Sequence, residues 1–190
     1  TTSKLIYVNG SPFISKQPTN LNICEGGAVE IGLQVRRNPN QQFGYQWYFS
    51  DQIIPNGIDS VYKIANLQKA QTGFYKVLIQ NQCGNMLSNS MELKMANVPL
   101  ETIPFADSLK VCDLTAISLK PSIYSILPTT FQWYKNELPY VGRTADTLRI
   151  KQFATQDVAT YSVSIANKCG TTFAIPGNLI MKNVAWSTQS

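Results

Sequence analysis

The sequence predicts an all-β protein built of two tandem antiparallel β-sandwiches. Three observations carry this prediction: an internal repeat, apolar residues that alternate with a period of two, and a composition poor in helix formers. Asn, Gln, Thr and Ser account for 59 of the 190 residues, and these residues suit exposed strand faces and turns better than helices. No window of a dozen residues has a helical period. At most one helical turn is expected, around residues 66–72.

An internal repeat divides the chain into two modules. Tyr-Gln-Trp-Tyr at 45–48 returns as Phe-Gln-Trp-Tyr at 131–134, an offset of 86 residues. The same offset relates Asn-Gln-Cys-Gly at 81–84 to Asn-Lys-Cys-Gly at 167–170. A register held over this length indicates two copies of one structural unit. We therefore predict module one over residues 1–98 and module two over residues 99–190, with no Gly/Ser-rich flexible linker between them.

Short strands separated by turns are predicted within each module. Apolar and polar residues alternate over 29–35 and 75–79 in module one and over 161–165 in module two. This period of two is expected of a strand that buries one face. Asn-Gly at 56–57 and Gly142 mark turns between such segments. Each module is therefore predicted to fold as an antiparallel sandwich.

The order of these motifs resembles that of immunoglobulin-like domains. Each module has an acidic turn early and Gln-Trp-Tyr in the middle. A segment similar to the family's D-x-G-x-Y-x-C follows, as Gln-Thr-Gly-Phe-Tyr at 71–75 and Asp-Val-Ala-Thr-Tyr at 157–161. The resemblance implies that Trp47 and Trp133 pack between the sheets. It also implies that Tyr75 and Tyr161 form tyrosine corners, in which the hydroxyl bonds back to the main chain.

The cysteines depart from the family pattern. Aliphatic residues occupy the positions of the usual inter-sheet disulfide, namely Leu33, Val77, Leu119 and Val163. The four cysteines of the chain are Cys24, Cys83, Cys112 and Cys169. They stand before the second strand and in the late hairpin of each module. This displaced pattern is similar to that of Ig-like modules in large bacterial surface and secreted proteins, which implies an extracellular or cell-surface location.

Equivalent cysteines in both repeats indicate disulfides formed in an oxidising compartment. Reduced thiols in an intracellular protein are the alternative, whereas a zinc site lacks both a C-x-x-C pair and any His. Two connectivities remain open. The first joins Cys24 to Cys83 and Cys112 to Cys169 within modules. The second joins Cys24 to Cys169 between modules, because the two cysteines of one module are expected at opposite ends and a disulfide needs Cα atoms within ~7 Å.

A hydrophobic segment of module two, Pro-Ser-Ile-Tyr-Ser-Ile-Leu-Pro at 121–128, is predicted to be a loop. Its apolar side chains are Ile123, Tyr124, Ile126 and Leu127. Four such side chains together are unexpected in an exposed loop. We predict that they form an inter-module seam by packing on module one, and a patch that binds another partner is the alternative.

The composition offers little for catalysis. The chain has no His, which excludes Ser-His-Asp and Cys-His nucleophiles and His metal ligands. No phosphate loop, dinucleotide fingerprint or calcium loop occurs, and nothing singles out two of the 11 acidic residues as a glycosidase pair. We therefore predict no enzyme activity, no cofactor and no bound metal.

The net charge of +5 is spread evenly, and the longest basic cluster is Arg36-Arg37. No stripe of basic residues could follow a phosphate backbone, so nucleic-acid binding is not expected. No apolar run approaches the ~18 residues of a membrane span. The sequence thus predicts neither a nucleic-acid partner nor a membrane span in this segment.

The predicted function is that of a non-catalytic tandem segment of a larger exported or cell-surface protein. It would act as a spacer, stalk or adhesion module whose partners are neighbouring modules of the same polypeptide. The alternative is a module that recognises a glycan or a surface protein through loops or exposed tyrosines. Candidates for sugar stacking are Tyr48, Tyr62, Tyr134 and Tyr140. Ordinary filling of strand positions is the favoured explanation of these tyrosines, since Tyr has a high preference for sheets.

Overall fold

The computed structural model describes residues 10–38, 41–103 and 108–181. The chain divides into two compact units, Thr1–Ala96 and Asn97–Ser190, which we call module one and module two. Both are built of strands, and the predicted all-β fold class is confirmed. Within the described ranges, the helical elements are two single 3₁₀ turns, Lys69–Gln71 and Thr155–Asp157. None of the described helices is long and apolar enough to cross a membrane.

Ten strands form two sheets in module one. They are β1 (Ile14–Lys16), β2 (Leu21–Cys24), β3 (Val29–Gly32), β4 (Gln34–Val35), β5 (Gly44–Phe49), β6 (Gln52–Ile53), β7 (Val61–Ile64), β8 (Gly73–Asn81), β9 (Gly84–Leu87) and β10 (Met91–Ala96). The larger sheet has the order β2-β10-β8-β5-β6, and β9 also pairs with β8. The pairs β1–β4 and β3–β7 supply the other layer, where β3 and β4 are separated only by Leu33. Only β2 and β10 pair in parallel among the described strands of this module.

Module two repeats this plan with nine strands. They are β11 (Leu100–Ile103), β12 (Ser108–Val111), β13 (Ile117–Leu119), β14 (Ser122–Tyr124), β15 (Thr130–Lys135), β16 (Leu138–Pro139), β17 (Leu148–Ile150), β18 (Ala159–Asn167) and β19 (Gly170–Met181). The larger sheet has the order β12-β19-β18-β15-β16, and the pairs β11–β14 and β13–β17 supply the other layer. The long β19 takes the place of β9 and β10.

Each core is organised around one tryptophan. Trp47 and Trp133 are fully buried, and their indole nitrogens donate hydrogen bonds of 2.9 Å to the carbonyls of Asp59 and Ala145. The acceptors are related by the 86-residue offset of the repeat. The bond allows the large indole to be buried without leaving its N–H unsatisfied.

Aliphatic packing replaces the usual inter-sheet disulfide. Val77 and Val163 are fully buried opposite the tryptophans in the strand register. Leu33 and Leu119 pack at the edges of the two cores. Both sandwiches are therefore held by apolar burial, and the cysteines lie at strand ends and in turns.

The segment at 121–128 is not a continuous loop as the sequence predicted. Ser122–Tyr124 is the strand β14, which pairs with β11 through Leu100↔Tyr124 and Glu101↔Ile123. This pairing turns Ile123 toward the core of module two, where it packs at the cluster's edge. The loop prediction was wrong here because Pro121 interrupts the apolar alternation that would have marked the strand.

Candidate functional site

Tyrosine corners lie at the start of the central strand of each larger sheet. The hydroxyl of Tyr75 donates to the carbonyl of Gln71 at 2.6 Å, and the hydroxyl of Tyr161 donates to the carbonyl of Asp157 at 3.1 Å. Both acceptors end a 3₁₀ turn, so each bond fixes that turn to the strand that follows it. Burial, together with neighbouring Tyr62, raises the pKa of Tyr75 to about 12. Burial, Asp157 and Tyr140 also raise the pKa of Tyr161.

The two cysteines of module one lie at opposite ends of its larger sheet. Cys24 ends β2 and stands opposite Ala96, the last residue of β10. Cys83 lies in the turn between β8 and β9, where Asn81 pairs with Gly84. The nine residues of β8 separate these levels, which is about 30 Å at ~3.3 Å per residue.

Module two separates its cysteines in the same way. Cys112 follows Val111, which stands opposite Met181 at the end of β19. Cys169 lies in the turn that precedes β19, where Asn167 pairs with Gly170. The 12 residues of β19 lie between the two levels. Cys24 and Cys169 are disulfide-bonded, and Cys83 and Cys112 are exposed.

The four predicted seam residues differ in their surroundings. Ile123 packs on module two's own core, and Leu127 is half-buried. By contrast, Tyr124 is 63% exposed and Ile126 is 36% exposed. The hydroxyl of Ser125 accepts a bond from the Leu127 amide at 3.2 Å and donates to the Leu127 carbonyl at 2.8 Å, which orders this stretch locally. Packing of these residues on module one stays a prediction.

Two of the four candidate tyrosines face the interior. The ring of Tyr62 lies 6.1 Å from Trp47 and 5.8 Å from Tyr75, measured between centroids. The ring of Tyr140 lies 6.4 Å from Tyr161, with the Arg143 guanidinium 5.3 Å from its centroid. These two rings contribute to the packing of each module and offer no open stacking surface.

Tyr134 lies on the outer face of the larger sheet in module two. On β15 it alternates with the buried Trp133, and in the register it stands opposite Ser162 of β18. Phe173 of β19 stands opposite Ser164 of β18. The rings of Tyr134 and Phe173 approach to 6.0 Å between centroids, at an interplanar angle of 52°. Phe173 was not among the residues predicted from the sequence, because it belongs to no motif.

The equivalent surface of module one is built differently. Tyr48 stands opposite Lys76 in the register, and the Lys76 ammonium lies 6.0 Å from the Tyr48 ring centroid. Lys76 also forms an ion pair with Asp51. Leu87, which corresponds to Phe173, pairs with Leu78. A charged side chain thus occupies the space that Ser162 leaves open in module two.

An open cleft of about 570 Å³ lies at the turn end of module one. Its lining residues are Gln41, Gln42, Phe43, Gly44, Gln80, Asn81, Gln82 and Cys83. Two of these amides are already engaged, because Gln41 Nε2 and Asn81 Nδ2 each donate to the Gly10 carbonyl at 2.8 Å. The Asn81 oxygen accepts from the Cys83 amide at 2.8 Å. These bonds tie the cleft's polar groups to its own backbone rather than directing them to a ligand.

Acidic and cysteine side chains are scattered over both modules. Within the three described stretches, no group of three or more His, Cys, Asp or Glu residues could hold a metal ion. The ion pairs Lys63–Glu30 at 2.7 Å and Lys120–Asp146 at 3.1 Å lie on exposed surfaces.

Comparison with known proteins identifies a fold and not a family. No family model matches the chain. The human mucosa-associated lymphoid tissue lymphoma translocation protein 1 is 22% identical over 169 residues, which are 81% of this chain and 20% of that protein. The chain thus spans about a fifth of that relative's length.

Solved structures of tandem immunoglobulin domains are similar to the chain. An I-band fragment of titin has a TM-score of 0.63 at 16% identity, covering 92% of this chain and 67% of the fragment. Immunoglobulin domains 1–5 of Sidekick-1 have a TM-score of 0.58 at 21% identity, covering 90% of this chain and 38% of that structure. The narrower likeness to bacterial surface modules finds no support in these comparisons. By its fold, the chain is a tandem of two immunoglobulin-like β-sandwiches.

Proposed function

We propose that the chain is a non-catalytic structural segment, a spacer or adhesion module, of a larger exported or cell-surface protein. Each module has its own closed core around one tryptophan, which suits a unit repeated along a chain. The disulfide-bonded state of Cys24 and Cys169 carries the proposal, because stable disulfides persist in oxidising compartments such as the extracellular space.

The disulfide we propose joins Cys24 to Cys169. In each module the two cysteines stand at opposite ends of the larger sheet, far beyond the ~7 Å that a disulfide allows between Cα atoms. Pairing within either module would require its sheet to come apart. A bond from a strand end in one module to a hairpin turn in the next would tie consecutive modules covalently, which is useful in a segment that transmits force.

Peptide mapping of the non-reduced protein tests this proposal. The full chain is purified from an oxidising expression compartment, alkylated, and digested without reductant. We expect a linked peptide pair that contains Cys24 and Cys169 and disappears after reduction. A linked pair containing Cys24 and Cys83 would overturn the proposed connectivity. Full alkylation of all four cysteines without reductant would overturn both the bond and the exported location.

A recognition role is the second candidate. The pair of the half-buried Tyr134 and the exposed Phe173 favours it, because a large exposed aromatic ring with a second ring beside it marks a site of interaction more often than a structural need. Binding of candidate ligands is measured for the intact chain and for a variant that lacks the Phe173 ring. A loss of binding in the variant distinguishes this role from a purely structural one.

A further inference from the structure

The aromatic pair on module two is shaped by the small residues beneath it. Tyr134 and Phe173 stand on β15 and β19, the two neighbours of β18. Strands two positions apart in a sheet lie about 10 Å from each other, yet the ring centroids are only 6.0 Å apart. Ser162 and Ser164, which lie opposite the two aromatics, are small enough for both rings to lean over β18. Phe173 remains 62% exposed.

The surface around the rings carries hydroxyl groups and no charge. Strands β18 and β19 contain no charged residue. Lys135 is the one charged residue of β15, and its ammonium is directed elsewhere, to the Gln156 carbonyl at 2.6 Å. Thr160 bonds the Asn178 side chain at 2.5 Å, so hydroxyl and amide groups border the rings along the strands. Over β15, β18 and β19 the outer face is therefore apolar at its centre and polar at its border, and these strands direct no charged side chain onto it.

From this combination we propose that the outer face of the larger sheet in module two binds a neutral saccharide, with the rings of Tyr134 and Phe173 as its stacking platform. A pyranose ring presents C–H groups on its faces and hydroxyls around its rim, which matches aromatic rings surrounded by hydroxyl donors and acceptors. An acidic ligand would find no cation on β18 or β19, and the Lys135 ammonium of β15 is directed to the Gln156 carbonyl. The inference rests on the recognition role and is independent of the spacer role.

Module one supplies a natural comparison within the same chain. Its equivalent face has Lys76 beside Tyr48 and Leu87 in the place of Phe173. The lysine fills the space above the central strand, and leucine provides no flat ring. We therefore assign saccharide binding to module two and none to the corresponding face of module one.

The test uses the ¹⁵N-labelled full chain and hexasaccharides of β-1,4-linked glucose, β-1,3-linked glucose, α-1,4-linked glucose and β-1,4-linked N-acetylglucosamine. Amide chemical shifts are followed during titration, and a sulfated hexasaccharide serves as the charged probe. We expect at least one neutral hexasaccharide to shift amides of β15, β18 and β19. The affinity should be weakened about tenfold by Phe173→Leu, because the stacking ring is lost.

Ser162→Lys is the second variant, since it places on module two the lysine of module one, and it is expected to abolish the shifts. Leu87→Ala on module one is the matched control and should leave the affinity unchanged. Both altered positions on module two lie on the outer face of the sheet and outside the core, and preserved amide spectra will verify folding. The proposal is overturned if none of the four neutral probes binds, if Phe173→Leu binds as well as the parent, or if only the sulfated probe binds. None of those results would bear on the proposed Cys24–Cys169 disulfide or on the spacer proposal that rests on it.

Discussion

Tyr75 combines a buried ring with a hydroxyl that fixes a turn. Its ring stacks on Phe49 at 4.9 Å between centroids, and its hydroxyl donates to the Gln71 carbonyl at 2.6 Å. The same environment opposes ionisation, which raises the pKa to about 12. Tyr75 therefore stabilises module one through its packing and makes that stability depend on pH in the alkaline range.

We expect Tyr75→Phe to lower the free energy of unfolding of module one by about 1 kcal/mol at neutral pH, since it removes one hydrogen bond and keeps the ring. Urea denaturation of the full chain measures this change. Tyr161→Phe should act similarly on module two, through its bond to the Asp157 carbonyl. Tyr124→Phe, at a position 63% exposed, is the control and should change little.

The stability difference between the parent and Tyr75→Phe should depend on pH with a definite sign. The folded-state pKa of Tyr75 is raised to about 12, above the ~10 of an unfolded tyrosine. Its contribution to stability is therefore fully present below pH ~10 and is lost as the pH rises toward 12. The stability difference between the parent and Tyr75→Phe should shrink over this interval. A difference that grows between pH 10 and 12 would contradict the assignment.

Residues of the interior could be predicted from the sequence, whereas the aromatic pair could not. Trp47 and Trp133 fall within a repeated motif, and its resemblance to the immunoglobulin-like pattern implies a core position for both. Phe173 belongs to no motif, and its exposure depends on which face of β19 meets the core. That face is set by the pairing of β19 with β18, in which Phe173 stands opposite Ser164.

The start of the central strand is built differently in the two modules. In module one, Gly73 has a φ of +147°, and a Cβ on it would lie 2.9 Å from the ring carbon Cε2 of Phe49. In module two, Ala159 and Lys135 occupy the equivalent positions, 86 residues later. The Lys135 ammonium lies 5.9 Å from the Tyr161 ring centroid. In module two the flexible Lys135 covers the corner tyrosine and leaves room for the methyl group of Ala159. In module one the rigid ring of Phe49 leaves no such room, so glycine is required at position 73.

Gly73→Ala should therefore destabilise module one by about 2 kcal/mol, because an alanine is strained at this φ and collides with the Phe49 ring. Phe49→Lys alone should also destabilise it, through loss of the ring contact with Tyr75. The double variant should lose less stability than the sum of the two single variants, because Phe49→Lys removes the ring with which the new alanine would collide. Urea denaturation of the three variants measures this coupling.

Ala159→Gly in module two is the matched reverse change. It should lower the free energy of unfolding of module two by about 0.5–1 kcal/mol, and only because glycine gives the unfolded chain more conformational freedom. Strictly additive losses in Phe49→Lys and Gly73→Ala would show that the ring does not impose the glycine. At this scale the sequence predicted the strand, and Ala159 stands where the family pattern D-x-G-x-Y-x-C has Gly. The sequence did not predict the partner substitution, because residues 49 and 73 meet only through the pairing of β5 with β8.

At the scale of the whole chain, the repeat made the fold class and the presence of two sandwiches predictable, because 86 residues separate the equivalent motifs from the Gln-Trp-Tyr segment onward. The disulfide could not be derived in this way. Cysteine spacing leaves several connectivities open. From the sequence, Cys24 and Cys83 are only expected to lie at opposite ends of one sheet, and the strand registers place them there. The proposed bond between modules has a mechanical consequence that differs from that of pairing within modules.

A Cys24–Cys169 bond shields the chain between residues 24 and 169 from extension when the protein is pulled from its two ends. This stretch contains 145 residue steps, or about 500 Å of contour length at ~3.5 Å per residue. In single-molecule force spectroscopy of the full chain, we expect reduction to lengthen the fully extended molecule by that amount. Cys24→Ser should release the same length without reductant.

Cys112→Ser is the control that separates the two connectivities. If the bond runs from Cys24 to Cys169, this substitution leaves the extended length unchanged, because Cys112 lies inside the shielded stretch. If the pairs form within modules, Cys112→Ser instead releases the 57 residue steps from Cys112 to Cys169, about 200 Å. Cys24→Ser would then release a similar length and not the larger one. The difference between about 200 and about 500 Å for one substitution distinguishes a covalent tie between consecutive modules from two separately closed ones.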